Sequence, residues 1–169
     1  MKSLITKLNL DKRKIVFWIL TLICMIVIFC FSSKNADDST KESHKVGKTI
    51  GYIVEYDFQD WTEDAQERYA AKIDHPVRKT AHFLEYMLLG SLVTYAWFDA
   101  KYKKWVRLLV PFLVGALYSM TDELHQMLVS GRAGMITDVL LDSSGVITGV
   151  LLASLVILAI RKYMGASIR

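Results

Sequence analysis

Apolar residues fall in blocks along this chain, and polar residues gather between the blocks. Four apolar stretches stand out, at residues 15–31, 81–98, 105–121 and 139–160. The first contains no charge, and the second is apolar except for His82 and Glu85. The third carries Arg107 near its start and Pro111 inside, and the fourth holds Asp142 near its beginning. Blocks of this length, without a helical or strand period of polar residues, mean that the solvent changes along the chain. A backbone in lipid must satisfy its own hydrogen bonds, so each block is expected to be a helix. The alternating pattern of a membrane barrel is absent. The expected fold is all-α, an integral membrane four-helix protein.

Composition sharpens this reading. Among 21 basic and 17 acidic residues, only Glu85, Arg107 and Asp142 lie inside the four blocks. A chain of 169 residues suits one compact domain. A soluble enzyme, a disordered tail and a disulfide-stapled secreted domain all fit poorly. The first block has a basic leader, but Phe29-Cys30-Phe31-Ser32-Ser33 offers no small-x-small cleavage site, so a retained span is expected. Cys24 and Cys30 are six apart on that span, too far for a bridge within one helix.

Charge asymmetry predicts orientation. Residues 1–14 hold five basic residues and one acid, and residues 99–104 hold three basics and one acid. The tail at 161–169 has Arg161, Lys162 and Arg169 and no acid. Segments 32–80 and 122–138 each sum to −2. Both termini are therefore expected in the cytoplasm, with 32–80 and the motif loop at 122–138 outside. The net charge of +4 then reflects topology, and no nucleic-acid partner is expected. Segment 32–80 is expected to be partly helical: Ser39 suits a cap for a helix towards Tyr56, a short helix fits Thr62 to Lys72, and Pro76 with Asp74 suits the start of the second span. No internal repeat is visible.

The polar residues cluster by helix face. Arg78, His82, Glu85, Tyr86 and Leu89 follow 0, 4, 7, 8, 11 spacing, which is one face of a helix. Tyr118, Asp122, His125 and Gln126 follow 0, 4, 7, 8 spacing, and Asp138, Asp142, Gly145 and Gly149 follow 0, 4, 7, 11 spacing. The predicted orientation puts all three faces on the outer side. Ionisable side chains at membrane depth are costly and usually pair or line a polar cavity. Arg78, Lys79 and Arg132 are natural partners for Asp122, Glu123, Asp138 and Asp142, or for a ligand's phosphate. The bland alternative is a buried ion-pair network that staples the helices. Gly145, Gly149 and Ala153 read as a small-residue packing stripe.

These residues resemble the VanZ-like family of small bacterial membrane proteins. The resemblance rests on Arg78-Lys79-x-x-His82-Phe83-x-Glu85-Tyr86-x-x-Leu89-Gly90 and Asp122-Glu123-x-His125-Gln126, followed by Gly131-Arg132, Asp138, Asp142 and Gly145. A weaker element is Phe31-Ser32-Ser33 with Ser39 and Ser43, where Lys34 stands in place of the family's frequent Gln. The resemblance implies four membrane helices in the bacterial plasma membrane and a link, through the family's namesake, to teicoplanin-type glycopeptide resistance.

Three functional readings follow. In the first, an outward-facing site binds or modifies an amphiphile, either a membrane lipid or a lipid-linked envelope intermediate. Arg78, Lys79, Tyr86, Gln126, Arg132, Asp138 and Asp142 would form that site. In the second, the protein is a membrane-embedded enzyme using His82, Glu85, Asp122, Glu123 or His125 in acid–base or metal chemistry. Ser32 and Ser33 would serve as nucleophiles only if folding brings a base near them. His82-x-x-Glu85 and Glu123-x-His125 match no established metal motif, and no phosphate loop or G-x-S-x-G is present, so no metal or cofactor is expected. The third reading, transport, is disfavoured. Residues 90–98 and 151–160 lack Asp, Glu, Lys, Arg and His, and four short spans enclose a path only as a homo-oligomer.

Overall fold

The computed structural model describes residues 2–99 and 101–166, with side chains described over 12–99 and 101–163. Lys2, Lys7 and Arg169, counted above for orientation, lie outside the described side chains. The described residues form five α-helices and no strand: α1 (Lys2–Ser32), α2 (Ala36–Val54), α3 (Glu63–Trp97), α4 (Lys104–Gln126) and α5 (Ile136–Ala166). A short 3₁₀ turn, Phe58–Asp60, joins α2 to α3. The all-helical expectation holds. Segment 32–80 is partly helical as expected, with α2 in it, but the short helix expected at Thr62–Lys72 and the second apolar block form one continuous helix, α3.

Local chemistry explains the boundaries. Asn35, and not Ser39, caps α2: its side chain accepts from the Asp38 amide at 2.9 Å, with Asp37 and Asp38 in the first turn. Asn35→Ala should cost about 1 kcal/mol. Faster hydrogen exchange over residues 36–40, with the rest of the helix unchanged, would show it. Thr62 caps α3, accepting from the Ala65 amide at 3.3 Å, and Glu63 and Asp64 favour the same end. This start is strong enough that α3 runs 35 residues through Pro76. The expected break at Asp74–Pro76 is therefore absent. Pro76 leaves one carbonyl unbonded within the helix, and the Asp74 carboxylate serves a tertiary contact instead of a cap.

The Asp122–Gln126 motif likewise belongs to α4 and not to a loop; the true connection is residues 127–135, where Gly131 takes the left-handed φ of 74°. The loop returns the chain to α5 because Glu123 Oε2 accepts from the Met135 amide at 2.8 Å, at the start of that helix.

The most extensive packing is between α3 and α5. It depends on small residues. A Cβ at Gly145 or Gly149 would strike the carbonyl oxygen of Phe83 or Met87, and one at Gly90 would come 2.5 Å from the Val146 oxygen. Ser91 Oγ lies 3.2 Å from the Gly149 oxygen across the same seam. Ile28, Tyr86, Leu89, Val93 and Val146 form the core between α1, α3 and α5.

Among the described residues, two helices are long and apolar enough to cross a membrane, Lys12–Ser32 and Ile136–Tyr163. The other two expected spans fall short because His82 and Glu85 dilute the apolar part of α3, and Arg107, Pro111 and the terminal acids dilute α4. At one end of the bundle, Lys14 pairs with Asp99 at 3.0 Å, and Arg107 and Arg161 stack on the Phe98 ring. The motif residues gather at the other end.

Candidate functional site

The motif end of the bundle encloses a cavity of about 490 Å³ between α2, α3, the end of α4 and the loop before α5. This is the size of a small-molecule site. From α3 come Arg78, Lys79, His82 and Glu85; Gln126, Arg132 and Asp138 complete the polar lining towards α4 and α5. Apolar side chains are interspersed among them: Phe31 from α1, Val46 from α2, and Val77 and Ala81 from α3 itself. Lys34, Glu42 and His75 also line the cavity, and the motifs did not mark Glu42 or His75.

Most cations here are already paired. Lys79 bonds Asp138, and Lys34 pairs with Glu42 at 2.5 Å. Arg78 Nη2 lies 2.7 Å from Asp74 Oδ2, and Asp74 also accepts a hydrogen bond from Ser43 of α2. That chain braces Arg78 from a second helix. The i, i+4 spacing of Asp74 and Arg78 was the available signal; the Ser43 contact had none.

Arg132 differs. It makes no ion pair among the described residues, and its Nη1 donates to Gln126 Oε1 at 3.2 Å. Burial, with a smaller push from the Arg78 charge, holds its pKa below the usual arginine value, against the pull of Asp122 and Glu123. Gln126 is in turn fixed by Asp122: its Nε2 donates to Asp122 Oδ2 at 3.1 Å, and Ser32 Oγ donates to the same oxygen at 2.7 Å. A buried network thus runs from the end of α1 through α4 to the loop arginine.

The remaining candidates divide between cavity and core. Tyr86 is fully buried in the core and does not line the cavity; eight residues beyond Arg78, its position has turned towards Tyr118 of α4. Asp142 is also buried, with Oδ2 accepting from Ser119 Oγ at 2.9 Å and Oδ1 lying 4.0 Å from His82 Nδ1. Nothing in the sequence singled out Ser119. Glu123 holds the start of α5, as described above.

Folding does bring a base to Ser33: its Oγ is 3.0 Å from His125 Nε2, and His125 stacks on Phe29. However, the one hydroxyl hydrogen is shared with the Phe29 carbonyl 2.6 Å away, and neither Ser33 nor His125 lines the cavity. Ser32 is committed to Asp122. Both serines act as ties between α1 and α4. No group of three or more His, Cys, Asp or Glu side chains suited to a metal is found among the described residues.

An all-helical bundle with two helices of membrane-crossing character and a polar cavity at one end is consistent with a membrane protein. More particularly, the chain belongs to the VanZ/LLP1 family, whose model matches residues 17–158. No curated protein and no solved structure matches it.

Proposed function

We propose that this is a multi-pass protein of the bacterial plasma membrane, both termini cytoplasmic, whose cavity holds the anionic head of an amphiphile. Exposed apolar side chains run along α1 (Ile15, Ile19, Ile23, Ile26) and α5 (Leu151, Leu155, Leu158), more than a soluble monomer tolerates. Basic side chains crowd the end opposite the cavity, so the positive-inside rule puts that end in the cytoplasm and the cavity outside.

The observation that carries the ligand reading is Arg132, a partly buried guanidinium with no ion pair among the described residues, lining with Arg78 a cavity that also presents apolar side chains. An anion resolves the charge, and an acyl or isoprenyl chain covers Phe31, Val46, Val77 and Ala81. Membrane lipids and lipid-linked envelope intermediates share this chemistry.

Dodecylphosphonate, which cannot be hydrolysed, tests the reading. Binding to the protein in nanodiscs should weaken about 10- to 100-fold in Arg132→Ala, the worth of about 1.5–3 kcal/mol for a charged hydrogen bond. Equal affinity in wild type and Arg132→Ala would refute it. Teicoplanin susceptibility of a deletion strain carrying wild type or Arg132→Ala, at matched membrane levels, tests whether the ligand lies on the route of glycopeptide action.

A further inference from the structure

We infer that the cavity is a phosphoryl-transfer site for a phosphate monoester of an amphiphile, with Nε2 of His82 as nucleophile and Asp142 as its positioning residue. The inference rests on the anion-binding reading above and adds the reaction.

The geometry that points to it is the pair beneath the cavity floor. His82 lines the cavity, with its side chain 26% exposed, whereas the Asp142 side chain is 1% exposed. Asp142 uses Oδ2 to accept from Ser119, which fixes the carboxylate plane. Its Oδ1 is buried without a hydrogen-bond partner, and His82 Nδ1 stands 4.0 Å away. An unsatisfied buried acceptor costs about 1–3 kcal/mol, and more when charged. A small rotation of the imidazole satisfies it with Nδ1–H. That hydrogen bond sets the tautomer and leaves the lone pair on Nε2, the opposite ring nitrogen. An imidazole oriented by a buried carboxylate is the arrangement that makes histidine an effective nucleophile or base.

The surroundings suit a phosphate monoester. Arg132 offers a guanidinium fork with no ion pair among the described residues, and Arg78, held by Asp74, and Lys79, held by Asp138, add positive charge along the same lining. Charge spread over the three non-bridging oxygens in the transition state is what such a cluster stabilises. Glu85 follows His82 by three residues on the same face, lines the same cavity and has no ion-pair partner among the described residues.

The reaction balances with water alone. His82 Nε2 donates its lone pair to phosphorus as the bond to the ester oxygen breaks. That oxygen takes the proton of the Glu85 carboxyl and leaves as the alcohol. Water then attacks the phosphohistidine, giving its proton to the Glu85 carboxylate. The P–N bond breaks, inorganic phosphate leaves, and neutral His82 and protonated Glu85 are restored.

The test uses the full chain in nanodiscs with two probes. Dodecylphosphonate reports binding, and dodecyl phosphate reports turnover through inorganic phosphate release. Wild type should bind the first and hydrolyse the second, and denatured protein quenched during turnover should carry an acid-labile, base-stable phosphoryl group on His82. His82→Gln should still bind phosphonate while losing both turnover and label. Asp142→Asn should bind phosphonate with turnover down about 100-fold or more and slower labelling, and Asp142→Glu should recover part of both. Phosphonate binding by wild type without hydrolysis of dodecyl phosphate would overturn the transfer and leave the binding reading intact. Absence of phosphonate binding in wild type would overturn both. Turnover with no phosphohistidine, or with label that persists in His82→Gln, would overturn His82 as nucleophile.

Discussion

Gly149→Ala is expected to destabilise the fold by about 2–3 kcal/mol, at the upper part of the range for overpacked cores. The sign is what makes the prediction sharp. In the interior of a helix, replacing glycine by alanine ordinarily stabilises by about 0.4–1 kcal/mol, because alanine loses less conformational freedom on folding. Here the new methyl would land on the Met87 carbonyl oxygen and within 2.9 Å of the Ser91 amide nitrogen, both backbone atoms of α3. No rotamer change relieves that contact, so α3 and α5 must separate. The Ser91–Gly149 hydrogen bond stretches with them. A thermal midpoint in detergent lowered by roughly 5–10 °C is the expected readout. A rise would mean that the two helices do not meet at Gly149. Because Lys79–Asp138 and His82–Asp142 also span this seam, phosphonate affinity should fall in the same variant.

How much of the site is legible in the sequence depends on the range of each contact. The polar faces at Arg78–Glu85, Asp122–Gln126 and Asp138–Asp142 are legible because helical spacing is local and charges in apolar surroundings must be compensated. Helix period does not say how far round the bundle a face extends. Tyr86 shares the stripe with Arg78 and His82 yet lies in the core, since the 100° step per residue carries it past the cavity edge towards α4. Among pairings across long stretches of chain, Lys79 with Asp138 lies within the expected set of basic and acidic partners, whereas those made by serines are not legible. Ser32 to Asp122 and Ser43 to Asp74 depend on how helices dock, and a serine has too many ordinary roles to announce one. Pro76 misleads for a related reason: proline favours a helix start but does not enforce one, and Thr62 with Glu63 and Asp64 supplies a better start upstream.

Asp122→Ala should give the largest combined loss of stability and binding. The carboxylate is buried, with Oδ2 accepting from both Ser32 Oγ and Gln126 Nε2. Truncation strands two buried donors, each costing about 1–3 kcal/mol, so a gross cost of about 2–6 kcal/mol is expected. Part of this is recovered because a buried carboxylate no longer has to be desolvated. Asp122→Asn keeps the volume and one acceptor oxygen, so its cost should be less than half as large. The effect on ligand binding is indirect. Without Asp122, Gln126 is free to turn, and Arg132 loses the carbonyl that aims it into the cavity. Phosphonate binding should therefore weaken in Asp122→Ala even when measured well below its unfolding temperature. The decisive comparison is a double-mutant cycle with Arg132→Ala. If Asp122 acts through the arginine, the double variant should bind only slightly worse than Arg132→Ala alone, a coupling of about 1 kcal/mol or more. Strict additivity would show that Asp122 holds α1 to α4 and has no hand in positioning Arg132.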